Sequence, residues 1–65
     1  MNRAELMSWH FYHVDSDNTI ISHLGSTQAT SCVEACHNLG IEPNDSTLAI
    51  AGHTLPIGMK LFIED

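Results

Sequence analysis

Basic side chains are almost missing from this sequence of 65 residues, in which only Arg3 and Lys60 stand against eight Asp and Glu residues. The formal net charge is -6 when the five histidines are counted as neutral. Contacts to nucleic-acid phosphates come largely from Lys and Arg, so two such residues cannot line a groove that binds DNA or RNA directly. An anionic membrane surface is disfavoured for the same reason. The charge instead favours a basic protein or nucleoprotein complex as partner, reached through complementary electrostatic fields.

The sequence also lacks long apolar runs and a high cysteine content. No window approaches the roughly 18 apolar residues of a membrane-spanning helix, and residues 1–8 lack the apolar stretch of a secretory signal. Cys32 and Cys36, four positions apart, form no disulfide framework of the secreted kind. We therefore expect a cytoplasmic protein.

Catalytic signatures are missing too. No serine lies in a G-x-S-x-G motif, and no glycine loop is followed by the lysine of a phosphate-binding site. A chain of this length also leaves little room for a ligand pocket of about 300 Å³ or more. We predict that the protein is not an enzyme, with no catalytic residue, no metal ligand and no cofactor.

The N-terminal half predicts a β-hairpin. Residues 8–14 are rich in aromatics and alternate in side-chain size, which is typical of a strand. The turn formers of residues 15–18 follow, and then a second strand over residues 19–24. Residues 3–7 fit either a short helix or the start of the first strand.

Residues 28–39 predict a helix. Five apolar residues share one face at three- and four-residue spacing: Ala29, Cys32, Val33, Cys36 and Leu39. Ser26 or Thr27 is suited to cap its start, and Gly40 is suited to the left-handed position that ends it.

The C-terminal part predicts two more strands, over residues 47–51 and 59–63. The whole chain, residues 1–65, is then one small α+β domain with a mostly antiparallel sheet in the order ββαββ. One helix packs on one face of this sheet. The other face must be solvated, dimerised or offered to a partner.

The motif Cys32-x-x-x-Cys36-His37 invites three interpretations as a site. It resembles a c-type haem attachment motif, but three residues separate the cysteines where the usual signature has two. Zinc would need the two thiolates plus two imidazoles from among His13, His23 and His53, which show no paired spacing. A disulfide is disfavoured because helical neighbours four apart have Cβ atoms about 5–6 Å apart. We interpret both cysteines as reduced, core-facing residues.

The turn at residues 15–19 opens like a calcium loop. Its sixth position is Ile20, where glycine is required, and its twelfth is Ser26, where a bidentate Glu is required. We interpret this segment as a turn only.

The remaining candidate site is the set of acidic residues that lie in turns, on the exposed helix face and at the C-terminus: Asp15, Asp17, Glu34, Glu42, Asp45, Glu64 and Asp65. If the hairpin turn, the loop after the helix and the C-terminus approach one another, these carboxylates form one anionic surface. Such a surface would compete with nucleic-acid phosphates for a basic groove.

In size, acidity and lack of catalytic motifs, the chain resembles the small inhibitors that phages and mobile elements direct against host nucleic-acid machinery, of which anti-CRISPR proteins are one group. The resemblance rests on general character and carries no motif. It implies a non-enzymatic interaction protein that acts by nucleic-acid mimicry, in the host cytoplasm if the gene belongs to a phage. Two alternatives stay open: a small metal-binding module built on the Cys/His residues as a zinc site, and a homodimer joined through the uncovered sheet face with Trp9, Phe11 or Tyr12 buried across it.

Overall fold

The computed structural model describes residues 5–61, and within them the chain forms three strands and one helix. The elements, in chain order, are β1 (Met7–Val14), β2 (Ile20–Ala29), α1 (Cys32–Leu39) and β3 (Thr47–Ala51). The strands pair antiparallel in the order β2-β1-β3. The predicted α+β class with one helix on an antiparallel sheet is confirmed. The element order is ββαβ, so the predicted order ββαββ is wrong.

The first two strands form the predicted hairpin. Its turn is held by Asp15, whose Oδ1 accepts the backbone N–H of Asp17 at 2.9 Å and that of Thr19 at 3.0 Å. Asn18 adopts the left-handed conformation, with φ 62°, which asparagine tolerates better than most residues. The sequence of residues 3–7 fits a short helix or the start of the first strand; residues 3 and 4 lie outside the described range, and Met7 begins β1.

The helix begins four residues later than the sequence periodicity predicts. Strand β2 continues through Ala29, and the cap is Ser31, whose Oγ accepts the Glu34 N–H at 3.2 Å. Gly25 lies inside β2, where a Cβ would meet the Leu39 side chain at 3.4 Å. This glycine therefore allows helix and sheet to approach closely and does not break the strand.

Gly40 ends the helix as predicted. Its φ is 68°, its N–H donates to the His37 carbonyl, and the Ile41 N–H donates to the Cys36 carbonyl at 3.0 Å. These bonds satisfy carbonyls that would otherwise lack a partner at the helix end. With eight residues, the helix found within residues 5–61 is too short to cross a membrane.

The two faces of the sheet carry two separate apolar clusters. On the helix face, Phe11 packs with Ala29, Ala35 and Cys36, and Cys32 and Leu39 pack against them. Val33 was predicted to face this core but is 76% exposed, because a helix that begins at Cys32 directs positions 32, 35, 36 and 39 toward the sheet.

The opposite face is covered in part by the segment that follows β3, residues 53–61. Tyr12, Val14 and Ile20 form its buried cluster, and Leu55 and Leu61 pack against them. The Tyr12 hydroxyl accepts the Leu55 N–H at 2.9 Å, a contact between residues 43 positions apart. Phe11 and Tyr12 are thus buried within one chain.

The predicted last strand, residues 59–63, does not form within the part of the chain that the structure describes. Residues 58–61 bond to residues 20–18, and a single bridge joins Lys60 to Thr19. The pairing runs past Ile20, the first residue of β2, and into the hairpin turn, where no strand residues remain as partners. Residues 62 and 63 lie outside the described range.

Candidate functional site

The hairpin turn and the loop after the helix lie side by side. The Val14 N–H, directly before the turn, donates to the Ser46 carbonyl at 2.9 Å. This bond places Asp15 and Asp17 at the same end of the sheet as Asp45. We call this end, defined by Asp15, Asp17 and Asp45, the acidic end.

The last described residue also reaches this region. The Leu61 N–H donates to the Asn18 carbonyl in the turn at 2.8 Å. Glu64 and Asp65, which belong to the predicted site, lie outside the described residues. Lys60 is exposed and lies next to the turn through its bridge to Thr19, so one cation borders the acidic end.

The three carboxylates of the acidic end are not equivalent. Asp15 is half-buried and is occupied by the two backbone N–H groups of the turn. Asp17 and Asp45 are exposed. Among the three carboxylates of the acidic end, these two therefore present their charge to solvent.

Glu34 is not part of the acidic end. Its carboxylate accepts from the Thr30 hydroxyl at 2.9 Å and from the Thr30 N–H at 3.4 Å. Thr30 follows Ala29, which pairs with Met7 at the far end of β1. Because β1 has eight residues at about 3.3 Å each, roughly 20 Å or more separates Glu34 from the turn. Its position serves the helix N-terminus, where a carboxylate stabilises the unpaired N–H groups.

Glu42 is exposed and lies in the same loop as Asp45. It lines a groove that the helix also borders. The groove has a volume of about 530 Å³ and is mostly apolar. Its wall consists of the residues Cys32, Val33, Cys36, His37, Gly40, Ile41, Glu42 and Pro43. The sequence motif Cys32-x-x-x-Cys36-His37 thus lies on one wall of a groove.

The two cysteines are free thiols, with Cys36 buried and Cys32 half-buried. Burial raises the pKa of the Cys32 thiol above its usual value of 9.0, and the neighbouring Cys36 raises it further. A thiol with a raised pKa is protonated at neutral pH and is a poor nucleophile. This agrees with the interpretation of the pair as packed residues.

Within the described residues, the zinc site that would use Cys32 and Cys36 lacks its histidine ligands. Residues 5–61 contain no group of three or more His, Cys, Asp or Glu side chains placed to hold a metal ion. His13, His23 and His53 are therefore not gathered around Cys32 and Cys36.

The sequence analysis did not identify one group of polar side chains, formed by two histidines and a serine. His10 Nδ1 lies 2.7 Å from Ser26 Oγ, and His23 Nε2 lies 2.9 Å from the same oxygen. Two imidazoles thus converge on one hydroxyl on the sheet face opposite the helix. No sequence signal marks this group, because His10 and His23 are 13 positions apart and lie on different strands.

Comparison with models of known protein families finds none that matches this chain, and neither a curated protein nor a solved structure matches it.

Proposed function

We propose that this protein is a non-enzymatic interaction protein whose acidic end occupies the basic groove of a larger nucleic-acid-binding protein or complex. The observation that carries the proposal is the 2.9 Å bond between Val14 and Ser46. It brings together two acidic loops that are separated by about 30 residues of sequence. The action would be that of the small acidic inhibitors of phages and mobile elements, including anti-CRISPR proteins, which the chain resembles in general character.

The mechanism is competition for cations. A groove that holds nucleic acid presents Lys and Arg side chains to phosphates. Asp17 and Asp45, which are exposed at one end of a narrow sheet, offer carboxylates to the same side chains. The net charge of -6 adds a long-range attraction that accelerates encounter with a basic surface. The hairpin and β3 supply a fixed support, so few backbone degrees of freedom are lost on binding.

The experiment compares two double variants that change the net charge equally. Asp17→Asn with Asp45→Asn removes both exposed charges of the acidic end and leaves Asp15 to hold the turn. Glu5→Gln with Glu34→Gln removes two charges at the other end of the sheet. Each immobilised protein is incubated with cell extract at low and at high salt, and retained basic proteins are identified by mass spectrometry.

We expect the unaltered chain and the Glu5/Glu34 variant to retain a nucleic-acid-binding protein at low salt, and the Asp17/Asp45 variant to lose it. High salt should release it, because the Debye length falls from about 10 Å at 0.1 M to about 3 Å at 1 M. Added duplex DNA or RNA should displace the chain from the purified partner. Equal retention by both variants, or no displacement by nucleic acid, would contradict the proposal.

A further inference from the structure

The register of the hairpin shifts at two positions, and the shift between Phe11 and Tyr12 lies beside the two histidines. Phe11 pairs with Gly25, but the next residue of β1, Tyr12, pairs with His23. Leu24 is therefore an extra residue in β2, a β-bulge, and it is exposed.

The bulge decides which face His23 occupies. In a regular strand, His23 and Ser26 would point to opposite faces, because they are three positions apart. The extra residue reverses the side on which His23 lies, so His23 joins Ser26 and His10 on the face opposite the helix. β-bulges are enriched where a side chain is re-aimed next to a functional site.

The surroundings hold the His23 ring in place. The Tyr12 and His23 ring centroids are 5.2 Å apart, with an angle of 46° between the ring planes. Tyr12 is buried and fixed by its hydrogen bond to the Leu55 N–H. A packed neighbour of this kind orients a ligating ring before any ligand arrives.

From this geometry we infer that His10, His23 and Ser26 form a binding site for one divalent cation of the nickel, copper or zinc group. Two imidazole nitrogens that lie within 2.9 Å of one hydroxyl oxygen supply the ligand type that these ions prefer, since they take histidine nitrogens at about 2.0–2.1 Å. Ser26 Oγ lies between them as an oxygen ligand. Since no third His, Cys, Asp or Glu within residues 5–61 joins the pair, water completes the coordination and exchangeable positions remain.

The proton balance is simple. Ser26 has a single hydroxyl hydrogen, so its Oγ donates to one imidazole nitrogen and accepts an N–H from the other ring. When the cation binds, the ring N–H proton moves through water to the other nitrogen of its own ring, and the Ser26 hydroxyl hydrogen turns away to solvent. Both facing nitrogens then offer lone pairs to the metal.

The test uses Ni²⁺ as the probe on the full chain under reducing conditions. Calorimetric titration measures stoichiometry and affinity, and amide line broadening in NMR spectra locates the ion. The site variants are His10→Gln and His23→Gln. The matched controls are His37→Gln and His53→Gln, which remove exposed imidazoles elsewhere in the chain.

We expect one Ni²⁺ per chain, an affinity at least about tenfold lower in either site variant, and unchanged affinity in the controls. Broadening should centre on His10, Tyr12, His23 and Ser26. Circular dichroism checks each variant for folding, and His23 on the outer strand gives a second test if His10→Gln unfolds. The inference is overturned by absent 1:1 binding, by equal losses in the controls, or by broadening centred on Cys32 and Cys36.

Discussion

At the residue scale, the same kind of side chain has different roles in different places. Asp15 accepts two backbone N–H groups and so acts as a structural part of the turn. Asp17, two positions later, is exposed to solvent. Asp15 is therefore assigned to the stability of the turn, and Asp17 to the proposed binding of a partner.

Replacing Asp15 should therefore destabilise the fold, and replacing Asp17 should not. We expect Asp15→Ala to lower the free energy of unfolding by about 1–2 kcal/mol, because two turn N–H groups lose a charged acceptor. Asp15→Asn retains an acceptor oxygen and should lose less. Asp17→Ala should stay within about 0.5 kcal/mol of the unaltered chain. Urea denaturation followed by Trp9 fluorescence measures all three, and equal losses at both positions would contradict the assignment.

At the element scale, the start of the helix shows how local chemistry and apolar spacing compete. Apolar spacing alone extends the helix back to residue 28, whereas the structure begins it at Cys32. The decisive signal is the pattern Ser31-x-x-Glu34, in which the serine accepts the Glu34 N–H and the glutamate reaches back to Thr30. This is a variant of the capping box, and it is visible in the sequence.

The cap can be tested by substitution at Ser31. Ser31→Ala should lower the free energy of unfolding by about 1 kcal/mol, because the Glu34 N–H loses its acceptor. Ser31→Asp should restore most of the loss, since aspartate is an equally good cap. Chemical denaturation gives the values. If the alanine variant were as stable as the unaltered chain, the helix start at Cys32 would be wrong.

At the scale of the whole molecule, a short chain covers both faces of its sheet. The helix covers one face, and residues 53–61 cover much of the other, anchored where the Tyr12 hydroxyl accepts the Leu55 N–H. The homodimer alternative stays a prediction, but Phe11 and Tyr12 are already buried within one chain. On the second face, the region around His10, His23 and Ser26 is not covered by residues 53–61 and stays accessible to solvent.

Tyr12→Phe tests how the second face is covered. Removing the hydroxyl leaves the Leu55 N–H without its acceptor and should cost about 1 kcal/mol of stability. Hydrogen exchange should accelerate at Leu55. The Val14 amide, bonded to Ser46 on another part of the molecule, should accelerate only as much as global stability falls. Unchanged protection at Leu55 would show that the hydroxyl does not hold the segment.

Much of the fold could be predicted because the signals are local. The turn formers of residues 15–18, the glycine that ends the helix and the apolar run at residues 47–51 each specify backbone geometry within a few residues. The last predicted strand failed because strand formation requires a partner. Residues 58–61 bond to residues 18–20, and beyond this point β2 has no further residues with which a strand could pair.

The sequence by itself determined the acidity, the hairpin, the helix end and the α+β class, since composition, turn chemistry and apolar spacing act over short distances. Only the tertiary structure decided which distant groups meet. The bond from Val14 to Ser46 joins two acidic loops and leaves Glu34 at the far end, and one extra residue at Leu24 turns His23 toward His10. The physical reason is that strand register reverses a whole face with a single residue, and no local pattern in this sequence reports that shift.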